Sequence, residues 1–468
     1  MLPNAKALSP REILMNAASR GIRYRETVAQ RSVAPTPEAI RALEDFCRPV
    51  PETGGHPREI IDRLDRLGSP ATLTMTGGRY FGFVNGGSLP VTVASNWLAT
   101  AWDQNCALHV MSPVGATLET VALRWTLDVL RLPKDTSGAF VVGATMANFT
   151  SLAAARHAVL KRAGWDADED GLFGAPPITV FVGAEVHATV RRVLGLLGLG
   201  RSRPVELEVD TQGRIRTQDL PKITGPAIVC IQAGNVNTGA FDPATEICAW
   251  AKEAAAWVHV DGAFGLWARA APAVARQAEG FERADSWATD AHKWLNVPYD
   301  CGIAMVRDEP ALRSAMAMSA AYLPPSGVRD PMHYSPDGSR RARAVDVWAA
   351  IEFLGRRGIA ELVEGCCAHA SRMAVRLAEA GHEVLNDVTL NQVLVAFGDD
   401  GRTNRVIAGV QADGVCWCGG TRFQGRDAMR ISVSSWATTD SDVEESLASI
   451  LAVAARAKES RGGYRSSR

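Results

Sequence analysis

A lysine attacks a carbonyl only after its amine loses a proton, and a low-dielectric crevice is one place where that happens. Lys293 stands in TDAHKWLNVPYDCG (289–302), beside His292 and just ahead of a strand-like run, GIAMVRD. Upstream, WVHVDGAFG (257–265) closes another such run with Asp261. A carboxylate at the C-terminal end of a buried strand points into the crevice where α/β proteins bind ligands, and it could keep a ring nitrogen protonated. A third piece, GATMANFTS (143–151), joins a strand to a helix. There Gly143 permits a tight turn, and the amides of Ala144 and Thr145 would meet a phosphate at a helix N-terminus, with the Thr145 hydroxyl beside them. Taken singly, each piece has a plain structural reading: a solvated lysine, an aspartate capping the next turn, a capped strand-to-helix turn. Jointly, with Asp261 and Lys293 one β-α-β step apart, they describe a site for one ligand bearing a carbonyl, a ring nitrogen and a phosphate.

Such residues need a sheet to carry them. From about residue 139, short β-rich runs (AFVVGA, ITVFVG, PVELEV, AIVCIQA, WVHVD, GIAMVRD) alternate with helical stretches such as ANFTSLAAARHAVLKRAG. That rhythm predicts a mostly parallel sheet covered on both faces. Residues 1–75 read as a helical segment, with PEAIRALEDFC and REIIDRLDRLG at helical spacing. The large domain is expected over 76–345. A smaller C-terminal α+β domain is expected over 346–468, with a long amphipathic helix from 355 and strands at VLVAFG and AMRISVSS. Residues 324–343, rich in Pro, Gly and charge, read as a loop.

In these motifs the chain resembles the group II pyridoxal-phosphate (PLP) dependent decarboxylases, of the aspartate-aminotransferase type fold. The resemblance runs from about Arg79 to Leu447. It is carried by SPVGATLETVALRW (112–125), GATMANFTSLAAAR, EVHATVRRVLGLLGLG (185–200), GNVNTGAFDP (234–243), HVDGAFG and DAHKW. It implies a fold type I α/β architecture, with Lys293 forming a Schiff base to PLP and Asp261 pairing with the pyridinium nitrogen. His187 would stack on one ring face and Ala263 on the other. Gly143, Ala144, Thr145 and His292 would hold the phosphate, with Asp290 close by and Asn235 near the cofactor. Arg430, in AMRISVSSW, is similar to the family's C-terminal arginine, which in some members receives a substrate carboxylate.

The resemblance also implies the reaction. Once CO2 leaves, Cα needs a proton, and protonation elsewhere or attack by oxygen gives an aldehyde instead. Tyr322, in SAAYLPPSG (319–327), is similar to the tyrosine of the family's mobile catalytic loop, the proposed acid for Cα. The sequence departs from the family at Gly77 and Gly78, where His-Pro is usual, and at Asn235 and Val236, which replace threonines. Phe83 occupies the region where a glutamate-specific member carries a polar side chain, so the substrate is expected to be aromatic or apolar. The expected activity is an L-amino-acid carboxy-lyase. Another PLP reaction on the same fold, by an aldehyde synthase, a retro-aldol lyase or an aminotransferase, is the alternative.

Composition bounds the partners. With 50 basic and 51 acidic residues the formal charge is -1, which points away from nucleic acid or an anionic membrane and toward a small rather than a polymeric substrate, and the resemblance implies that it is an amino acid. No stretch approaches the ~20 apolar residues of a membrane span. The N-terminus, MLPNAKALSPREILM, lacks the pattern of a signal peptide, and nine scattered cysteines fit free thiols in a reducing cytoplasm better than a disulfide framework. Cys416 and Cys418 have no second pair at metal-binding spacing, so no metal site is expected. The family expectation is a homodimer.

Overall fold

The computed structural model describes residues 9–318 and 327–459. Three helices lead the chain: α1 (Pro10–Thr27), α2 (Pro37–Ala42) and α3 (Pro57–Arg63). Each begins with proline in its first turn, where the missing N–H costs nothing. Ser9 and Glu12 close a reciprocal capping box on α1. None of the three helices contains a buried residue. α4 (Pro90–Trp102) and α5 (Pro113–Val129) then lead into the main sheet.

Seven strands form that sheet: β1 (Ser137–Val141), β2 (Thr179–Gly183), β3 (Val205–Leu207), β4 (Ala227–Gln232), β5 (Trp257–Asp261), β6 (Ser286–Asp290) and β7 (Gly302–Val306). Their spatial order is β1-β7-β6-β5-β4-β2-β3. β3, β2, β4, β5 and β6 run parallel, while β7 is antiparallel to both β6 and β1. Alternate residues feed separate cores on the two faces. Val229, Ile231, Val258, Val260 and Trp287 face one way, and Ile228, Cys230, Trp257 and Ala288 face the other. A sheet covered on both sides needs such unbroken apolar runs. The second face is closed chiefly by α6 (Ala144–Arg162), with α7 (Ala188–Leu196) beside it. α8 (Ala244–Glu253) and α9 (Glu309–Met316) complete the set.

α10 (Arg343–Glu379) crosses from the large body into the smaller one and kinks at Gly355, whose φ is 58°. Beyond it lie β8 (Glu383–Val384), β9 (Gln392–Ala396), α11 (Asp400–Asp413), β10 (Gly419–Phe423), β11 (Arg426–Ser432) and α12 (Asp440–Glu459). The four strands form an antiparallel sheet, ordered β10-β11-β9-β8. A large mixed α/β body, a smaller α+β unit and a helical leader match the architecture expected from the sequence.

Two expectations need correction. The strand β6, SWATD, is absent from the apolar runs read from the sequence, because only Trp287 and Ala288 in it are apolar. Its polar side chains are nonetheless buried: Ser286 is bonded to Trp257 and His259, and Asp290 lies at the site. The connection between β5 and β6 is also not an α-helix. It is a series of short 3-10 turns at Gly265–Ala270, Ala275–Ala278 and Phe281–Arg283.

Candidate active site

β5 and β6 are parallel neighbours, with Asp261 in register with Ala288. Asp261 ends one strand and Asp290 the next, so two carboxylates stand at the same C-terminal edge of the sheet, both buried. The turn after β6 returns Lys293 toward its own strand end. Its Nζ lies 3.2 Å from Asp290 Oδ2, with the lysine side chain 19% exposed. The other Asp290 oxygen accepts the Ala144 amide at 2.6 Å and faces His292 Nε2 at 3.5 Å. His292 is oriented through its Nδ1, which accepts the Cys301 amide at 3.1 Å.

The Ala144 amide belongs to the first turn of α6, and Thr145 stands half-buried next to it. Gly143, the N-cap, has a φ of 154°, and a Cβ there would approach His292 Cε1 to 3.3 Å. On β7, a Cβ at Gly302 would fall 2.4 Å from the Gly143 carbonyl carbon. Glycine at both places lets the turn lie against the sheet and against His292.

Asp261 is held by two donors: Asn148 Nδ2 reaches Oδ2 at 3.2 Å and the Ala263 amide reaches Oδ1 at 3.2 Å. His187 caps α7, its Nδ1 accepting the Thr189 amide at 3.3 Å and lying 2.7 Å from the Thr189 hydroxyl. Burial pushes the His187 imidazole below its ordinary pKa. Asp261 pulls it up, Lys293 and Arg430 push it down, and Asp290 pulls it up. Five of the predicted groups therefore share one electrostatic neighbourhood. Arg430 enters from β11, with Nη1 3.4 Å from the Val236 carbonyl, and burial lowers its pKa too.

Asn235 is buried in the turn that follows β4, where its Oδ1 accepts the amides of Asn237 (2.8 Å) and Thr238 (3.3 Å). Its Nδ2 is buried with no hydrogen-bond partner among the described residues. Phe83 is not a core residue: it is 61% exposed, has a φ of 53°, and its ring packs on Trp417 with centroids 5.4 Å apart. Tyr322 lies outside the described residues.

Several groups at the site carry no role in the sequence reading. Asn148 sits inside the GATMANFTS motif, one turn into α6, and its spacing from Gly143 was the available signal. Tyr299 stacks on His292 with centroids 4.2 Å apart and donates its hydroxyl to Asn85 Oδ1. Asn85 belongs to the loop before α4, which passes close to the lysine: a Cβ at Gly86 would stand 1.8 Å from the Lys293 carbonyl oxygen. On that loop the Tyr80 hydroxyl is buried without a partner among the described residues, and burial pushes its pKa up to about 12. Nothing in the sequence pattern joins residues 80 and 85 to 299.

A match to the pyridoxal-dependent decarboxylase conserved domain covers residues 51–398. The chain belongs to this family. An aromatic-L-amino-acid decarboxylase of Bacillus atrophaeus is 28% identical over 319 residues, which make up 65% of this chain and 64% of that protein's length. Among solved structures, Oryza sativa TDC with PLP and tryptamine has a TM-score of 0.89 at 21% identity, covering 97% of this chain and 99% of that one. A 4-hydroxyphenylacetaldehyde synthase of Rhodiola rosea has a TM-score of 0.85 at 20% identity, covering 96% and 99%. The cofactor of the family is pyridoxal phosphate, and the donor set here fits it. There is a primary amine for the aldehyde, a carboxylate fixed by two N–H groups for the ring nitrogen, and a glycine-capped helix N-terminus beside a histidine for the phosphate.

Behind Asp261, burial pushes His259 from an ordinary 6.5 down to about 4. A depressed histidine is neutral in the fold and takes up a proton more readily when unfolded, so its stability contribution is complete above pH 6.5. It is lost as pH falls toward 4, in total about 3 kcal/mol. Asp242, pushed up to about 7 by burial, contributes a slope of the opposite sign over the same window, so the loss should be read as the difference between wild type and His259→Asn in denaturant unfolding across those pH values.

Proposed function

We propose that this chain is a PLP-dependent L-amino-acid decarboxylase, a carboxy-lyase that releases CO2 and an amine. The observation that carries this reading is the shared neighbourhood of Lys293, Asp261, Asp290, His187 and Arg430 at one sheet edge. Bound PLP supplies the sink for the electron pair left when the Cα–carboxylate bond breaks. Lys293 provides the amine that holds the aldehyde. Asp261, its geometry fixed by Asn148 and Ala263, keeps a proton on the ring nitrogen. His187 covers one ring face and Ala263 the other. Gly143, Ala144, Thr145 and His292 bind the phosphate end, where the charge of Asp290 is balanced by Lys293 and the α6 amide. Asn235 lies near the cofactor, and Arg430 receives the substrate carboxylate. Tyr322 delivers the proton to Cα.

On this reading the domain divisions follow the sequence: 1–75, 76–345 and 346–468. The substrate side chain is aromatic or apolar, with Phe83 at its wall; Phe83 is backed by Trp417, which stacks in turn on the buried Tyr80 with 5.2 Å between centroids. Two further features support a cytoplasmic homodimer. All nine cysteines are free thiols. The unburied leader helices expose Leu14, Met15, Ile60 and Leu64, a face that a second copy would cover. No helix among the described residues is long and apolar enough to cross a membrane.

Three measurements test these points. Borohydride reduction followed by peptide mapping should place a pyridoxyl adduct on Lys293, and Lys293→Ala should lower CO2 release by roughly a thousandfold or more; turnover at the normal rate sinks the assignment. Tyr322→Phe should divert product from amine toward aldehyde, whereas an enzyme that is already an aldehyde synthase would show no such change of product. Light scattering should return twice 50.1 kDa, and a mass equal to one chain would refute the dimer.

A further inference from the structure

β5 turns three alternate residues, Trp257, His259 and Asp261, toward the face covered by α6, as the two-residue period of a strand requires. His259 is in register with Ser286 of β6. From these positions runs an unbroken line of hydrogen bonds. Trp257 Nε1 lies 2.8 Å from Ser286 Oγ, and Ser286 Oγ lies 2.9 Å from His259 Nδ1. His259 Nε2 then lies 2.9 Å from Asn148 Oδ1, and Asn148 Nδ2 lies 3.2 Å from Asp261 Oδ2. Ser286, His259 and Asn148 are wholly inaccessible and Trp257 nearly so.

We propose that Trp257, Ser286, His259 and Asn148 form a one-way hydrogen-bond chain that positions Asp261 against the ring nitrogen of the cofactor. The inference rests on the cofactor reading above and adds three positioning residues, Trp257, Ser286 and His259, behind Asn148.

The chemistry of the two ends fixes its direction. An indole N–H only donates and a carboxylate only accepts. Because Asn148 donates its Nδ2 to Asp261, it must present Oδ1 to His259. His259 must then carry its proton on Nε2 and leave a lone pair on Nδ1. The Ser286 hydroxyl fills that lone pair, and its own oxygen accepts from Trp257. Every link is satisfied by a neutral His259 in a single tautomer, and the burial that holds His259 down to about 4 keeps it neutral. In a dry interior such bonds polarise one another. Asn148 is therefore locked with its N–H toward the carboxylate. Were it to turn over, its oxygen would face Asp261 and push it off its position.

The remote hydroxyl is the place to break the chain, because Ser286 is far enough along it to touch neither Asp261 nor a ligand there. Without that hydroxyl, His259 is free to move its proton to Nδ1, and Asn148 then loses its reason to point toward Asp261. In PLP-loaded protein, Ser286→Ala should shift the visible absorption of the bound cofactor. It should also weaken PLP affinity about tenfold, the scale of one hydrogen bond to a charged group. Ser286→Thr, which keeps the hydroxyl, should restore both, a rescue that a loss of packing would not show. Nitrogen-15 NMR of histidine-labelled holoenzyme, with His259→Asn for assignment, should find the Nε2–H tautomer at His259. An Nδ1–H tautomer overturns the chain, as does Ser286→Ala with unchanged spectrum and affinity, or a defect that Ser286→Thr fails to rescue. A wild-type protein that gives no pyridoxyl adduct on Lys293 removes the cofactor reading and this inference with it. An adduct in wild type together with an unaltered Ser286→Ala variant removes this inference alone.

Discussion

Taking an ammonium out of water costs several kcal/mol unless an opposite charge and further hydrogen bonds replace its hydration. Lys293 meets that requirement through Asp290, 3.2 Å away, and Asp290 in turn needs donors of its own. It finds one in the Ala144 amide, which means that α6 must begin where β6 ends. The two are not neighbours in sequence. They meet because β7 runs antiparallel between β1 and β6, so that its first residue, Gly302, lies in register with both Val141 and Asp290. The turn after β1 is thereby delivered to the end of β6. A side chain on Gly302 would occupy the space of the Gly143 backbone. The antiparallel strand in an otherwise parallel run is thus the element that brings the helix N-terminus to the lysine.

Asn296 ties the lysine turn to two distant parts of the molecule. Its Nδ2 donates to the carbonyls of Lys293, Trp294 and Ser434, and its Oδ1 accepts the Trp436 amide at 2.8 Å. Its own carbonyl accepts the Leu89 amide at 2.9 Å, and its φ of 56° is one that asparagine tolerates better than most side chains. A single buried amide therefore joins the lysine turn, the loop before α4 and the segment after β11. That segment follows directly from the strand carrying Arg430. The small sheet, the loop with Asn85 and the large sheet consequently keep a fixed relation at the site, and a shift in any of them is felt at the lysine backbone.

What could be read from the sequence follows from the range of each interaction. Asp261 and Lys293 were legible because local patterns mark them: an apolar strand ending in a carboxylate, and a His-Lys pair ahead of another strand. The two-faced sheet was legible for the same reason, since β4 and β7 are almost wholly apolar and β5 carries only His259 ahead of its terminal Asp261. β6 was not, because Ser286, Thr289 and Asp290 break its apolar pattern, and Ser286 is accepted in the core only through Trp257 and His259. The long-range bonds of Asn296 to Ser434 and Trp436 and the Tyr299–Asn85 bond were equally invisible. Their partners are separated by more than a hundred residues and obey no period. Phe83 shows the converse limit: its residue type says nothing of the left-handed backbone that leaves it exposed beside Trp417.

This division bears on how one scaffold serves different reactions, as the shared fold of a TDC and an aldehyde synthase illustrates. A lysine for the aldehyde, a partner for the ring nitrogen and a group covering the ring serve many reactions in which PLP stabilises charge at Cα, so they do not by themselves select among outcomes. Selection must come from groups that touch Cα or the side chain. On the reading proposed above those are Tyr322 for the proton, Arg430 for the carboxylate, and the loop bearing Phe83 and Asn85 for the side chain. On that loop the polar environment is incomplete: among the described residues the Tyr80 hydroxyl has no partner, and Asn85 is satisfied by a half-exposed tyrosine. A buried hydroxyl without a partner costs about 1–3 kcal/mol, and a ligand group that satisfies it recovers that cost on binding. The deep, fully bonded chain behind Asp261 can therefore stay constant while the outer loop changes. Specificity in this fold is free to vary where hydrogen bonding has been left unfinished.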